Sequence, residues 1–307
     1  PQGSILGPDL YNFNSNDLFL FLTLDICNFA DDNSPFTTAP NISSVLQRLT
    51  SESKLLLDWI KNNQLKANPD KFHLILSEKD ESISINVAGF EIENQLSAKL
   101  LGIKIDSKLT FDEHVSNLCF KASQKLHALA RIRSYMSIKQ SKILMKTFIL
   151  SHFGYCPLIW MMHSRTLNNR INKIHERALR LVYKDDVSSF SDLLKKDNSF
   201  TIHEGNIQSL AIELFKVVNR ISPKIMEHVF PLKETLRYSN ENPFVSFKIR
   251  TVSWGDGNLA YFGPRIWQII PEEIRNESNL SIFKKKIRQW KPINCPCRIC
   301  KKYVPCS

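Results

Sequence analysis

The 307-residue sequence lacks a long hydrophobic run. No stretch reaches the roughly 18 consecutive apolar residues of a membrane span, and the apolar segment 18–22 is soon followed by Thr23 and Asp25. The N-terminus has neither the basic region nor the small-residue cleavage site of a secretory signal peptide. These absences predict an intracellular protein, cytosolic or nuclear, that is neither secreted nor anchored in a membrane.

Several enzyme signatures are also missing. The sequence contains no Walker loop, no dinucleotide-binding fingerprint, no Ser/His/Asp arrangement and no endonuclease or ribonuclease H signature. It has no internal repeat and no low-complexity tract. Hydrophobic residues make up 43% of the chain and charged residues 23%, which is typical of globular proteins. The length suits two or three packed subdomains.

Charge is distributed unequally along the chain. Residues 1–115 contain 9 Lys and Arg against 16 Asp and Glu, whereas residues 116–307 contain 32 against 14. The net charges are therefore −7 and +18. This asymmetry predicts an acidic, metal-requiring unit followed by a region that faces a polyanion such as a phosphate backbone. The alternative is a basic surface that is merely solvated.

The hydrophobic pattern predicts an α+β fold. Apolar residues at helical spacing predict an amphipathic helix over 42–60, capped by Asn41 or Ser43. Strands are predicted at 72–76, at 82–87 with a turn at Gly89, and at 100–106. After Thr110 the pattern turns helical, with helices predicted over 111–135, 139–153, 167–183 and 207–221. Prolines are frequent from Ser222 onward, which predicts a largely irregular, basic C-terminal region. Within it, residues 244–250 are a strand candidate and residues 282–290 a candidate for a short basic helix.

The adjacent carboxylates Asp31 and Asp32 form the first candidate site. A short strand precedes them and Asn33, Ser34 and Pro35 supply turn chemistry, so we expect a hairpin with the carboxylates at its tip. Neighbouring carboxylates repel each other unless a cation is present, which makes a fixed pair a natural Mg²⁺ ligand set. The alternative is an ordinary polar turn.

Two further patterns suggest binding sites. Basic residues recur at three- and four-residue steps beside the apolar face of helix 167–183, as expected for contacts with phosphate groups or for a solvated face; they are Arg170, Lys173, Arg177, Arg180 and Lys184. Near the C-terminus, Cys295, Cys297, Cys300 and Cys306 form a C-x-C-x₂-C-x₅-C cluster. Four thiolates are a Zn²⁺ ligand set that would present basic residues to nucleic acid, and reduced cysteines in a frayed tail are the alternative. The remaining cysteines, Cys27, Cys119 and Cys156, are predicted to be buried free thiols.

Five blocks of sequence, taken together, resemble one family. They are Pro1-Gln2-Gly3-Ser4-Ile5-Leu6-Gly7-Pro8, Asn16-Asp17-Leu18, Phe29-Ala30-Asp31-Asp32, Leu65-Lys66-Ala67-Asn68-Pro69-Asp70-Lys71, and residues 98–106 with 109–114. In this order and near this spacing, the blocks resemble the reverse transcriptases of non-LTR retrotransposons, the Jockey and related LINE-like elements. The resemblance is good over residues 1 to about 190.

The resemblance implies residue roles. Gln2 and Gly3 would lie beside the nascent base pair, and Asp31 and Asp32 would bind the catalytic Mg²⁺ (or Mn²⁺) ions. Lys71 would lie near the phosphates of the incoming nucleotide, and Leu101-Gly102 would form part of the primer-grip turn. The family's first catalytic Asp belongs upstream of Gln2-Gly3, so we expect the chain to be a C-terminal fragment that is inactive alone.

The resemblance also implies a domain order and partners. Residues 1–110 would form part of a polymerase palm, with an antiparallel sheet and helices, residues 111–221 a helical thumb, and residues 222–307 a basic C-terminal region. The partners would be an RNA template, a DNA primer and deoxynucleotide triphosphates, and a working enzyme would act in the nucleus. The alternatives are a non-catalytic nucleic-acid-binding remnant or domesticated protein, and an interaction protein in which Asp31-Asp32 is only a turn.

Overall fold

The computed structural model describes residues 3–30, 32–77, 83–234, 242–248, 258–293, 295–297 and 299–300. The chain divides into two compact units, Pro1–Leu109 and Thr110–Ser307. Within the described residues, the first unit contains both helices and antiparallel strands, and the named elements of the second are helical. This mixture agrees with the predicted α+β class. None of the helices in the described ranges combines the length and apolar character that crossing a bilayer requires.

Six short strands of the first unit pair as three antiparallel hairpins among the described residues. They are β1 (Asp25–Phe29) with β2 (Asp32–Phe36), β3 (Ser84–Val87) with β4 (Phe90–Glu93), and β5 (Ser97–Leu100) with β6 (Ile103–Asp106). Two residues separate the strands of each hairpin, and the first of the two has a positive φ, 53° at Ala30, 52° at Ala88 and 46° at Leu101. Turns of this kind match the twist of paired strands and close tight hairpins.

The strand predictions are confirmed in part. The strand over 82–87 is confirmed where the structure describes it, with Ile85 and Val87 buried and a turn through Gly89 (φ 88°). The single strand predicted over 100–106 is wrong, because Leu101 and Gly102 (φ 46° and 87°) reverse the chain. The strand predicted over 72–76 contributes one parallel bridge, Leu74 to Asn94. A continuous palm sheet is therefore not seen in the described residues, since short strands pair only within their own hairpins.

One long helix organises the first unit. The helices are α1 (Gly7–Ser15), α2 (Leu18–Phe21) and α3 (Ile42–Asn62). The helix predicted over 42–60 is confirmed, and the side chain of Asn41 caps it by accepting a hydrogen bond from the Ser44 amide at 2.8 Å. The apolar face of α3 packs against Leu74, Leu76, Ile85 and Val87. Near its C-terminus, Trp59 packs with Leu18 and Leu22.

Two long helices of the second unit, the first and the fourth in chain order, pack side by side. Its first six helices are α4 (Asp112–Ile132), α5 (Ile138–Leu144), α6 (Pro157–Trp160), α7 (Arg165–Tyr183), α8 (Phe190–Asp197) and α9 (Ile202–Val218). The small side chains of Cys119 and Ala122 on α4 and of Ala178 on α7 are fully buried in their shared core. The helix predicted over 139–153 is α-helical only in its first part. After α5 the chain continues as a π-helical turn, Met145–Ile149, and a 3₁₀ turn, Leu150–Phe153.

The expectation of an irregular C-terminal region is corrected. Its described part contains α10 (Lys224–Val229), α11 (Leu259–Ile269), α12 (Glu272–Arg275) and α13 (Leu280–Ile287). Phe230, Phe244, Ile266 and Phe283 are at most 1% exposed and share a core with α9. The prolines fit this core, because Pro264 lies inside α11 and is itself buried.

This core predicts opposite effects for two glycine substitutions. A Cβ atom at Gly263 on α11 would overlap the ring of Phe230 and lie 3.1 Å from Leu214 Cδ2, whereas a Cβ at Gly205 on α9 would meet nothing within 4 Å. We expect Gly263→Ala to lower the free energy of unfolding by about 1 to 3 kcal/mol through overpacking. Gly205→Ala should raise it by about 0.5 to 1 kcal/mol, because alanine is the better helix former.

Urea unfolding followed by tryptophan fluorescence measures both effects, and Gly205→Ala serves as the matched control for changing a helical glycine. A Gly263→Ala variant as stable as the Gly205→Ala variant would contradict the close packing of α11 on Phe230.

Candidate functional site

The predicted hairpin tip at Asp31-Asp32 is present. β1 and β2 pair in register from Asp25 with Phe36 to Phe29 with Asp32, so the two-residue connection is Ala30-Asp31. Asp31 lies outside the described residues, and Asp32 is exposed at the start of β2. The Ala30 carbonyl oxygen accepts hydrogen bonds from Tyr11 Oη at 3.1 Å and from Asn28 Nδ2 at 3.2 Å. These bonds hold the turn in place.

The chain leading to this hairpin is fixed to α3 by a buried carboxylate. Glu52 is 7% exposed and accepts hydrogen bonds from the backbone amide of Thr23, at 2.7 Å, and from its hydroxyl. Burial raises the pKa of Glu52, but the hydrogen bonds from Thr23 outweigh it and hold the pKa below its usual value. β1 begins two residues after Thr23, so this contact orients the strand.

Four further polymerase residues predicted from the resemblance are described, and all four are exposed: Gly3, Lys71, Leu101 and Gly102. Gly3 has a φ of 86°, and its backbone is open, since a Cβ atom at this position would meet nothing within 4 Å. Lys71 lies at the end of a 3₁₀ turn, Pro69–Lys71, capped by Asn68. Leu101 and Gly102 form the turn between β5 and β6. Gln2 lies outside the described residues.

Within the described residues, the hairpin tip offers one carboxylate ligand for a catalytic cation, Asp32. Among the described residues, Asp32 belongs to no group of three or more His, Cys, Asp and Glu side chains close enough to share an ion. Mg²⁺ is usually held by one or two carboxylates together with waters and substrate phosphates. An exposed carboxylate such as Asp32 fits that requirement as a single ligand.

The basic face predicted on α7 is exposed over most of its length. Arg170, Lys173 and Arg177 are exposed, while Ile171, Ile174 and Ala178 are buried beneath them. Lys184, also exposed, ends the helix in a left-handed conformation with φ 52°. The helix therefore packs with one side and offers cationic groups to solvent with the other.

Arg180 differs from its neighbours on α7. Its guanidinium forms an ion pair with Glu176 at 2.7 Å and donates a hydrogen bond to the carbonyl oxygen of Asp185 at 3.3 Å. The side chains of Arg180 and Glu176 are 23% and 29% exposed. Among the five predicted nucleic-acid-binding residues, Arg180 is thus the one that forms an ion pair with another described residue.

Helix α4, which packs on α7, also carries exposed basic residues, Lys121 and Lys125. Burial lowers the pKa of His152, and the charges of Lys121 and Lys125 lower it further. The pKa of His114 falls for the same two reasons, burial first and Lys121 second. These directions are those expected for histidines beside positively charged lysines.

Three cysteines of the predicted zinc cluster lie close to a histidine that the sequence did not indicate. His203, Cys295, Cys297 and Cys300 each offer a ligand atom, and these atoms all lie within 4.8 Å of one another. The Nε2 atom of His203 is 3.3 Å from Cys297 Sγ. Such a set could hold a metal ion. Cys306 lies outside the described residues.

Three of the four side chains in the cluster are buried. His203, Cys295 and Cys297 are 4%, 8% and 2% exposed, whereas Cys300 is exposed. Burial lowers the pKa of His203, but hydrogen bonds with Cys297 and Cys300 outweigh it and raise the pKa to about 9. Hydrogen bonds from Cys295 and Cys300, and then from His203, lower the pKa of Cys297, while hydrogen bonds with Cys297 and Cys300 raise the pKa of Cys295. The three sulfurs and the imidazole are thus close enough to hydrogen-bond to one another.

Sequence reasoning missed His203 and misjudged two cysteines. The pattern Thr201-x-x-Glu204 is a capping box, and both of its hydrogen bonds are present. It marks a helix start five residues before the predicted one and places His203 in the first turn of α9. Cys27 and Cys156 are exposed, so of the three predicted buried thiols only Cys119 is buried.

Comparison with known proteins gives relatives over much of the chain. The sequence is 24% identical over 244 residues to the probable RNA-directed DNA polymerase from transposon BS of Drosophila melanogaster, covering 74% of this chain and 26% of that protein. It is 23% identical over 195 residues to the RNA-directed DNA polymerase from mobile element jockey of the same organism, covering 59% and 21%. A Nasonia vitripennis Pol polyprotein from the type-1 retrotransposable element R1 2 is 22% identical over 174 residues, covering 52% and 42%.

The chain spans about a quarter of the length of the first two relatives. No protein-family profile and no solved structure matches it. The resemblance predicted from the five sequence blocks is nonetheless confirmed by several relatives of one kind: the chain is similar to the RNA-directed DNA polymerases, or reverse transcriptases, of non-LTR retrotransposons.

Proposed function

We propose that the chain is part of a retrotransposon reverse transcriptase whose complete form synthesises DNA on an RNA template. The observation that carries this proposal is the β1–β2 hairpin, which presents Asp32 at an exposed tip next to Asp31 in sequence. The similarity to RNA-directed DNA polymerases supports it. Within this proposal the chain alone is not a competent polymerase, and the complete enzyme acts in the nucleus.

The proposal assigns a role to each region. Residues 1–110 form part of the palm, residues 111–221 the thumb, and residues 222–307 a C-terminal region. An RNA template, a DNA primer and deoxynucleotide triphosphates are the partners of the complete enzyme. Asp31 and Asp32 hold Mg²⁺ (or Mn²⁺), and Lys71 faces the triphosphate.

The chemistry needs carboxylates in a fixed position. Asp31 and Asp32 would hold Mg²⁺, which would supply activation of the attacking 3′-hydroxyl and stabilisation of the leaving pyrophosphate. Hydrogen bonds to the carbonyl oxygen of Ala30, the last described residue before Asp31, support a fixed position for this turn. Gly3 and Gly102 have φ values of 86° and 87°, and without a Cβ each allows close approach of its backbone to a primer or a nascent base pair.

The basic face of α7 is proposed to bind the phosphates of the duplex. Arg170, Lys173, Arg177 and Lys184 are exposed on α7, and Lys121 and Lys125 are exposed on α4, which packs on α7. Arg180 contributes less, because Glu176 neutralises it. This surface equally supports the second candidate function, a non-catalytic nucleic-acid-binding protein, which differs from the first in needing no metal at the hairpin.

The metal site is testable without polymerase activity. Fe²⁺ can replace Mg²⁺ at oxygen ligands, and with ascorbate it generates radicals that cut the backbone near the ion. We expect cutting around residues 28–35 that excess Mg²⁺ suppresses. The double variant Asp31→Asn/Asp32→Asn lacks both charged ligands, so its affinity for Fe²⁺ should fall about tenfold or more. A tenfold fall is a loss of about 1.4 kcal/mol of binding free energy. Mass spectrometry of the fragments measures the cutting.

Asp25→Asn is the matched control, because Asp25 is exposed at the opposite end of the same hairpin, about 13 Å from the tip at 3.4 Å per residue. Cutting that survives in the double variant, or that Asp25→Asn reduces equally, would remove the metal role from the tip and leave the non-catalytic function.

The phosphate-binding surface is testable by salt dependence. The triple variant Arg170→Gln/Lys173→Gln/Arg177→Gln should bind an RNA/DNA duplex more weakly. It makes fewer phosphate contacts, and its binding therefore releases fewer counterions from the duplex. The slope of log affinity against log salt concentration should become shallower by about 2 to 3, at about 0.7 to 0.9 per contact. Fluorescence anisotropy of a labelled duplex at several salt concentrations measures this slope.

A variant with the same charge change elsewhere provides the control. Lys54, Lys61 and Lys224 are exposed on other helices, and their triple replacement by Gln should leave the slope close to that of the wild type. Equal slopes for the two triple variants would show that α7 is an ordinary solvated face.

A further inference from the structure

Helix α9 and the cysteine segment near the C-terminus meet at one point in the second unit. His203 lies in the first turn of α9, which the capping box of Thr201 and Glu204 fixes. Cys297 lies 94 residues further along the chain, yet its sulfur is 3.3 Å from His203 Nε2. Cys295 and Cys300 complete a group whose ligand atoms lie within 4.8 Å of one another. The contact therefore joins two distant parts of the chain.

The spacing of these atoms suits a tetrahedral metal. With Zn–S bonds of about 2.3 Å and a Zn–N bond of about 2.0 to 2.1 Å, tetrahedral ligand atoms are separated by about 3.5 to 3.8 Å. The pair Cys297 Sγ and His203 Nε2 is already at 3.3 Å. The widest separation of up to 4.8 Å needs a contraction of about 1 Å, which side-chain rotations on a short loop provide.

The local backbone is shaped for thiolates. The Cys300 amide donates to the carbonyl oxygen of Cys297 at 3.1 Å and lies 3.4 Å from its sulfur, so a turn directs an N–H group at the ligand atom. The N-terminus of the 17-residue helix α9 adds the positive end of its dipole beside the sulfurs. Both features favour deprotonated sulfur, the form that binds metal.

The imidazole is also placed for ligation. His203 is 4% exposed, and its Nδ1 atom has no hydrogen-bond partner within the described residues. Nε2 is therefore the ring nitrogen that contacts a sulfur, that of Cys297. Three sulfurs and one imidazole nitrogen, all from the protein, form the closed four-ligand set of a structural zinc site, with no position open for substrate.

We propose that His203, Cys295, Cys297 and Cys300 bind one Zn²⁺ as a structural site that fastens the C-terminal cysteine segment to α9. Cys306 is not needed, because His203 fills the fourth position. The cluster thereby stabilises the fold, in contrast to an exposed knuckle that contacts nucleic acid. Because the ion links residues 94 positions apart, it restrains the unfolded chain, and its binding free energy contributes to folding. This inference is independent of the polymerase proposal.

Metal content and ligand identity test the proposal in the full chain. Under reducing conditions, elemental analysis of the dialysed wild-type protein should find one zinc ion per chain, and Cys306→Ser and Cys156→Ser should keep it. His203→Ala should weaken zinc binding by at least about 100-fold, because it removes a ligand. Loss of a residue that only hydrogen-bonds to a ligand costs about 10- to 100-fold. His203→Cys should retain the metal, because it restores a fourth ligand.

Cobalt substitution reports which atoms bind. The Co²⁺ spectrum of the wild type and of Cys306→Ser should be that of three sulfurs and one nitrogen, and His203→Cys should shift it to that of four sulfurs. Zinc removal by a chelator should expose the segment after Ile287 to trypsin, while circular dichroism shows that the helices remain.

Three results would overturn the proposal. The first is loss of zinc in Cys306→Ser together with an unchanged Co²⁺ spectrum in His203→Ala, which would return the site to four cysteines. The second is a reduced, folded wild-type chain that takes up no zinc. The third is a zinc-bound chain whose C-terminal segment is cut as fast as in the zinc-free chain.

Discussion

Burial of helix α9 is the constraint on which the C-terminal half of the second unit depends. Leu210, Ala211, Leu214 and Phe215 are all 0% exposed, and α6, α7, α11 and α13 surround the helix. A helix that is apolar on most sides is stable only inside a core. Phe215 stacks on Phe283 with ring centroids 4.1 Å apart, so the C-terminal helices are needed to cover α9 and are an integral part of the fold.

Local patterns in the sequence predicted local structure well. Asn41 predicted the start of α3, and its side chain caps the helix. Gly89 predicted the turn after β3, because a two-residue hairpin turn requires positive φ. In both cases the residues that determine the conformation lie within a few positions of it, so propensity and periodicity were sufficient. The hairpin at Asp32 was expected with Asn33, Ser34 and Pro35 as turn residues, but these three lie in β2, and the strands connect before Asp32.

Features that depend on distant partners could not be predicted in this way. Prolines after Ser222 suggested irregular chain, but Pro264 is accommodated inside α11, where Asn242 donates a hydrogen bond to its carbonyl oxygen at 3.1 Å. The fourth member of the cysteine cluster was sought nearby in sequence, at Cys306. His203 is brought there by the packing of α9, and no local pattern records a contact across 94 residues. The capping box of α9 could predict where this helix starts, but not that His203 lies beside Cys297.

The cysteine cluster and the basic face of α7 differ in exposure. Cys297 is 2% exposed, so its sulfur is shielded from a nucleic acid, and of the four cluster residues Cys300 is the exposed one. On nearby α13, Lys286 is already paired with Glu277 at 2.9 Å. On α7, by contrast, Arg170, Lys173 and Arg177 are exposed above a buried apolar face. Phosphate binding needs accessible charge, whereas buried charged ligands need a partner such as a metal ion. The two proposed roles therefore belong to different parts of the second unit.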